Sequence, residues 1–286
     1  MPEVIYLNGR FVSPSEAVVS IHDRGFTFGD AVYEVLRSYD GRLWAFERHM
    51  RRLRRSLDAI DLQAASVDEI GAAITRAYEV SEFPNALVYL QVTRGVAPRR
   101  HRYTRDLQPT VVITVRDITP MIADVDFNGV AGVTAPDLRW RRCDIKSTNL
   151  LANVLAKTHA HDQSAHEAIL VDADGCITEG TSTSVFWVRD GTLCTRPTGP
   201  EVLPGVSGGM VLESAADVGI PARKEHIPLE QFRRCDEIFL AGTGHEVCPV
   251  TTLDGERVGD ARPGPISLRL LEAYRGRVGA QDDAPR

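Results

Sequence analysis

Cys143-Asp144-Ile145-Lys146-Ser147-Thr148-Asn149-Leu150-Leu151, or CDIKSTNLL, places a lysine in a chain that hardly uses one. Only Lys146, Lys157 and Lys224 stand among 33 basic residues; the rest are arginine. Arginine serves surface charge and bidentate pairing as well or better, but it does not lose its proton in a protein. A lysine amine can be neutralised by burial and can then attack a carbonyl carbon. A chain that nearly always chooses arginine keeps lysine where an amine is needed. The same count also follows from a composition biased toward arginine and alanine, and taken alone it favours that explanation.

The bulk composition narrows what such an amine could serve. The 286 residues fit one large or two modest domains, at about 100–200 residues each. With 43% hydrophobic and 25% charged residues, the chain buries a real core and is neither disordered nor collagen-like. A net charge of -6 gives no general attraction to nucleic acid or to an anionic membrane, so a small-molecule partner is expected. No apolar run approaches the ~20 residues of a membrane span, and MPEVIYLNGR (Met1–Arg10) lacks the basic and apolar regions of a secretory signal. A cytoplasmic protein is expected. Five cysteines, odd in number and without CxxC spacing, argue against a disulfide framework and against a zinc site; reduced thiols and no metal are expected.

Along the chain, VIYLNGRFV alternates and turns at Asn8-Gly9, which predicts a hairpin. Phe46, Met50, Leu53, Leu57 and Ile60 recur at helical spacing with arginines on the other face, predicting an amphipathic helix. A second helix is predicted over Val67 to Val80, and strands over Ala86–Thr93 and Thr110–Arg116. Periodicity breaks between Asp117 and Asp126. The domain expectation is therefore 1–118, a linker at 119–126, and 127–286. In the second half the pattern predicts strands at Gly129–Ala135, Ala168–Val171, Ser184–Val188 and Glu237–Ala241. Helices are predicted from Thr148 to about His161, over Val206–Val218 and near Ile266–Tyr274. Without a regular βαβ repeat, the class is α+β.

Four local features could carry chemistry, and each has an ordinary reading. LPGVSGGMV opens a helix near Val206-Ser207, and free N–H groups at a helix start bind anions, though a Gly-Pro turn that merely starts a helix has the same sequence. Ala241-Gly242-Thr243-Gly244 flanks a hydroxyl with glycines; a plain turn would too. Thr178-Glu179-Gly180-Thr181-Ser182-Thr183-Ser184 sets a carboxylate before a run of hydroxyls, either an exposed turn or a partner for a cationic heterocycle. Arg94 to His101 is a Gly- and Pro-containing burst of positive charge, the composition of a solvated loop as well as of a binding one. His49 and Arg52 share a helix face. No GxxxxGK[ST] or GxGxxG occurs.

Together these motifs form a known combination. DRGFTFGDAVYEV (Asp23–Val35), HMRRL, QVTRGVAPRRH, RWRRCDIKSTNLLANVLAK (Arg139–Lys157), EAILVDADGCITEGTS and LPGVSGGMV stand in family order and spacing. Over nearly its whole length the chain resembles the class IV aminotransferases that use pyridoxal phosphate, and within them the D-amino-acid aminotransferases. The resemblance implies the two-domain fold type IV architecture: a small N-terminal α/β domain and a larger C-terminal domain with a β-barrel-like core. It implies that Lys146 forms the Schiff base with the cofactor and shuttles the proton at the substrate Cα. Glu179 would pair with the pyridine nitrogen and Leu203 pack behind the ring. Arg52, the amides of Val206 and Ser207, and Thr243 would hold the phosphate. Tyr33, Arg99 and His101 would bind the substrate α-carboxylate, with Ser182 at the same site.

It also implies a homodimer with shared active sites, in which the Arg-x-His loop reaches the partner's site, and D-amino acids and 2-oxo acids as substrates. Ser184 departs from the family's usual Asn, and Gly242 and Gly244 from its common hydroxyl residues, which implies one phosphate donor fewer. L-branched-chain and (R)-amine aminotransferases and aminodeoxychorismate lyase share the fold. Arg99 with His101 disfavours the first two, and the lyase would need no second 2-oxo acid.

Overall fold

The computed structural model describes residues 3–119 and 128–280. They form two compact units, residues 3–119 with Ile145–Asn149, and residues 128–144 with 150–280. All but Thr119 of the expected linker lies outside the described residues.

The first unit is an antiparallel sheet with two helices packed on it. Its strands are β1 (Glu3–Leu7), β2 (Arg10–Val12), β3 (Ala31–Tyr39), β4 (Arg42–Leu43), β5 (Ala86–Thr93) and β6 (Thr110–Asp117), in the order β2-β1-β6-β5-β3-β4. The β1–β2 hairpin turns where expected, with Asn8 and Gly9 both at positive φ (47° and 94°), as a tight two-residue turn requires. A short helix α1 (Arg24–Phe28) precedes β3. Helix α2 (Phe46–Ala59) buries Met50, Leu53 and Leu57, and α3 (Val67–Ser81) buries Ile70 and Ile74 after Ser66 caps it through the Glu69 amide. These side chains meet Val88, Leu90, Ile113 and Val115 of the sheet in one core. Strand β3, which hydrophobic periodicity did not single out, pairs with β5 over seven register positions from Ala31↔Thr93 to Arg37↔Leu87.

The second unit holds β7 (Val130–Pro136), α4 (Leu151–Asp162), β8 (Glu167–Val171), β9 (Ile177–Gly180), β10 (Ser184–Arg189), β11 (Thr192–Thr195) and α5 (Val206–Asp217). After these come β12 (Ala222–Lys224), α6 (Leu229–Phe232), β13 (Glu237–Gly242), β14 (Glu246–Leu253), β15 (Glu256–Arg257) and α7 (Pro265–Ala280). Its open sheet runs β12-β11-β10-β13-β14-β7-β8-β9, with β15 paired to β14. Strand β7 is parallel to both its neighbours, and the other pairs are antiparallel except β11 with β12. Trp187, Phe232, Ile238, Leu240 and Val250 form a core on this sheet. Helix α7 runs past its expected end at Tyr274 because Arg277, only 5% exposed, ties its last turn to α5 through Asp217 (2.8 Å) and Glu213 (3.3 Å).

The architecture is α+β. Among the described residues no helix is long and apolar enough to cross a membrane, no His/Cys/Asp/Glu cluster could hold a metal ion, and all five cysteines are free thiols.

Candidate active site

The segment Cys143–Leu151 is not helical at its start. Ser147 bridges to Val32, the Tyr33 amide donates to the Lys146 carbonyl (2.9 Å) and the Thr148 amide to the Ala31 carbonyl (3.1 Å). The Lys146 amide donates to Ser56 Oγ on α2 (3.2 Å). Backbone committed to β3 in this way cannot enter a helix, so α4 begins at Leu151 rather than at Thr148. The pinning sets the direction of the lysine: its Nζ lies 4.2 Å from the centroid of the Tyr33 ring. Tyr33 in turn lies 5.9 Å from Tyr89. Burial, and then Tyr33, pushes the Tyr89 hydroxyl up to about 12, so it stays protonated at neutral pH.

Arg52 is buried on the α2 face that meets β3. It donates twice to Glu34, Nε to Oε1 and Nη2 to Oε2, both at 2.7 Å, and His49 Nδ1 lies 2.8 Å from the same Oε2. Glu34 is wholly buried. Burial alone would raise its carboxyl, but the charge and hydrogen bonds of Arg52, and then of His49, outweigh it and hold the group far below the ordinary carboxylate range. His49 is pushed down, first by burial and also by the charges of Arg52 and Lys146 against the pull of Glu34. Glu34 and His49 were not assigned roles from sequence. The available signal was a glutamate set among Val32, Tyr33, Val35 and Leu36, opposite a helix that buries an arginine.

Arg99 and His101 lie exposed on the loop between β5 and β6. Arg99 Cζ sits 5.1 Å from the Phe28 ring centroid and the His101 ring 5.4 Å from it. Gly95, at φ +97°, begins the loop, and a Cβ there would collide with the Gln108 carbonyl, so the two strands of the loop neck approach as closely as only glycine allows.

In the second unit Glu179 stands one residue before the end of β9 and is only 7% exposed. Its Oε2 accepts from the Leu203 amide (3.2 Å) and its Oε1 from Arg139 Nη1. Burial raises its carboxyl to about 7; Arg139 pulls down and Asp137 pushes up against that. Arg139 is the partner that sequence reading missed. It is fixed by Asp137 through Nε (2.8 Å) and Nη2 (2.6 Å) and by the Glu201 carbonyl (3.0 Å). The aspartate and arginine two apart, beside exposed Leu138 and Trp140, look like ordinary surface charge in the sequence.

The hydroxyl run after Glu179 folds onto one carboxylate. Thr181, Ser182 (3.4 Å) and Thr183 (3.1 Å) all donate to fully buried Glu167. Ser184 then pairs with Ala241, so β10 starts where the Gly242-Thr243-Gly244 turn leaves β13. Val206 and Ser207 begin α5, whose N-cap, Gly205, offers no side chain to its first amides. A Cβ on Gly205 would lie 2.6 Å from Ser184 Oγ, and one on Gly208 3.0 Å from it. The hydroxyl thus sits directly against the uncapped helix start, while Gly244 faces open space. The structure therefore brings Lys146 to Tyr33, Glu179 to Leu203, and Arg99 and His101 onto one loop. It sets Val206 and Ser207 beside Ser184, and it turns Ser182 toward Glu167.

Residues 31–253 match the family model for amino-transferase class IV. The chain is 40% identical over 274 residues to a D-alanine aminotransferase of Staphylococcus aureus, covering 95% of this chain and 96% of that one. It is 37% identical to the D-alanine aminotransferase of Bacillus licheniformis, covering 96% of each. Among solved structures it is similar to the branched-chain amino acid aminotransferase of Escherichia coli, with TM-score 0.88 and 25% identity over 96% of this chain and 93% of that one. With the family model spanning most of its length and relatives this similar end to end, the chain belongs to the class IV aminotransferases.

Proposed function

We propose that this enzyme is a D-amino-acid aminotransferase that uses pyridoxal phosphate to exchange the amino group between D-amino acids, D-alanine and D-glutamate foremost, and 2-oxo acids such as pyruvate and 2-oxoglutarate. The observation that carries the reading is the exposed pair Arg99 and His101 on an anchored loop, in a chain 40% identical to D-alanine aminotransferases. A guanidinium binds both oxygens of a carboxylate, so the loop suits a substrate that carries one.

The residues fit the cofactor by the chemistry they present. The uncapped start of α5, crowded by Ser184 where a Cβ on Gly205 would sit, suits a phosphate held by the Val206 and Ser207 amides, with Thr243 and Arg52 completing the grip. Glu179, raised to about 7 by burial, would be the partner of a protonated ring nitrogen, because an added positive charge favours the carboxylate form. Leu203, held through its amide to Glu179, would pack against the ring. When bound, pyridoxal phosphate supplies an electron sink for negative charge at the substrate Cα and carries the amino group between the two half-reactions. Lys146 would hold the cofactor covalently, and its amine can take and return the proton at the substrate Cα, which an arginine guanidinium cannot do. Tyr33, Arg99, His101 and Ser182 orient the substrate carboxylate. The protein works in the cytoplasm as a homodimer, each Arg99–His101 loop serving the partner's site.

Single substrates added to the cofactor-loaded protein test this. D-alanine should bleach the cofactor absorbance and release pyruvate in an amount equal to the sites, reversed by 2-oxoglutarate, while L-alanine, L-leucine and an (R)-amine leave it unchanged. A response to L-leucine instead would make it a branched-chain aminotransferase. Sustained product release without a 2-oxo acid would make it a lyase.

A further inference from the structure

We infer that Arg24 is the positioning residue of the substrate-carboxylate loop: its buried guanidinium fixes the backbone on both sides of His101 and so sets where Arg99 and His101 point. Arg24 is 3% exposed, whereas Arg99, Arg100 and His101 are exposed, so Arg24 is not itself offered to a substrate. Its guanidinium is used on three sides. Nε donates to Asp30 Oδ2 (2.8 Å), Nη1 to the Arg100 carbonyl (2.6 Å) and Nη2 to the His101 carbonyl (3.2 Å). Those two carbonyls belong to the peptide groups that precede and follow the His101 Cα. Fixing both leaves the residue little freedom except at its side chain.

The frame beneath Arg24 is itself rigid. Asp23 caps α1 through the Gly25 amide (2.7 Å) and accepts from the hydroxyls of Thr93 (2.9 Å) and Thr110 (2.7 Å), while the Arg24 amide donates to the Gly95 carbonyl at the loop neck (2.9 Å). Asp30 is shared with Arg94 Nε (2.9 Å to Oδ2), and Arg94 holds the Ile60 and Asp61 carbonyls (2.6 and 3.0 Å). Asp61 in turn accepts from Tyr103 further along the loop (3.0 Å). Phe28, one helical turn after Arg24, is the common platform. Its ring centroid lies 4.7 Å from Arg24 Cζ, 5.1 Å from Arg99 Cζ and 5.4 Å from the His101 ring. A loop whose tip would otherwise be solvated polar chain is thereby held at its base, and preorganising a binding group removes the entropic cost of ordering it at each encounter.

The inference rests on the carboxylate-binding reading of Arg99 and His101, and its test separates the two. Holoenzymes of the wild type, Arg24→Lys, Arg99→Ala and the double variant are compared with D-alanine and 2-oxoglutarate. Lysine keeps the charge beside Asp30, but a single ammonium cannot span the two carbonyls in a fork. A displacement of about 1 Å costs on the order of 100-fold, so Arg24→Lys should raise KM for both substrates by about tenfold to 100-fold. Its kcat should stay within about threefold of wild type, with the holoenzyme absorbance unchanged. Because it acts through the loop that carries both Arg99 and His101, the double variant should lose less than the product of the two single losses. Unchanged KM, losses that multiply in the double variant, or a fall in kcat with altered absorbance would overturn the inference. If Arg24→Lys does not accumulate as soluble protein, Asp30→Asn, which removes the carboxylate that orients Arg24, should give the same KM pattern, and an unchanged KM there overturns it equally. Absence of D-alanine turnover in the wild type would instead overturn the reading on which it rests.

Discussion

Glu34→Gln keeps the size of a wholly buried side chain and removes its charge, leaving the Arg52 guanidinium, 7% exposed, without the carboxylate that accepts both of its 2.7 Å bonds. Breaking one partner of a buried ion pair costs about 3–5 kcal/mol, because the other charge stays buried without compensation, and no screening discount applies at this exposure. His49, driven toward its neutral form by burial, supplies no compensating charge near neutrality. The pH dependence has a definite sign. The Glu34 carboxyl is depressed in the folded protein, so its contribution is fully present above the unfolded value of about 4.3 and is lost as pH falls below it. The variant lacks this dependence. The gap between wild type and Glu34→Gln in urea or guanidinium unfolding should therefore be near its full value at pH 7 and smaller by about 0.6 kcal/mol at pH 4. An Arg52→Met, Glu34→Gln double variant should lose less than the sum of the two singles. A gap below about 1 kcal/mol at pH 7, or additive losses, would refute the claim that this pair anchors α2 to β3 beneath Lys146.

Three further outcomes follow from the site. Mixed dimers of one Lys146→Ala and one Arg99→Ala subunit should recover about half of wild-type activity, whereas Lys146→Ala homodimers should stay folded and be essentially inactive. Only the weak Arg99→Ala level in the mixed dimers would place the loop in its own subunit's site. In the ligand-free protein the Glu179 carboxyl is raised to about 7, so its stabilising protonated form is lost as pH rises through that value. Glu179→Gln should thus gain on wild type by on the order of 3 kcal/mol between pH 4 and pH 8, read by denaturant unfolding, and a flat difference would contradict the burial argument. Gly95→Ala, at φ +97° and against the Gln108 carbonyl, should cost more than about 1 kcal/mol in thermal unfolding and raise KM for D-alanine, with an unchanged KM separating the loop neck from substrate binding.

The amphipathic arginine-backed helix α2, the Asn8-Gly9 hairpin and the β5–β6 pair were legible because each satisfies a local rule of spacing or turn chemistry. Strand β3 was not: Glu34 and Arg37 interrupt its apolar pattern, and burying Glu34 makes sense only once Arg52 and His49 are placed opposite it by the fold. The start of α4 was read three residues early, because Ser147 and Thr148 give their backbone to β3, a long-range pairing that no local propensity encodes. At the site, Lys146 and Glu179 stood out as residue types suited to one chemistry. Arg139, Glu167 and Arg24 act on other residues' positions or charge, through contacts 40, 14 and 76 residues distant in sequence, and such roles are visible only in three dimensions.

The stereochemistry of the transferred amino group tests the functional reading most directly. Purified protein loaded with pyridoxal phosphate is incubated with D-alanine and 2-oxoglutarate, and the products are separated on a chiral column. D-glutamate and pyruvate should appear in equal amounts, with no glutamate formed when L-alanine replaces D-alanine. L-glutamate as the product, or equal turnover of both alanine enantiomers, would contradict it.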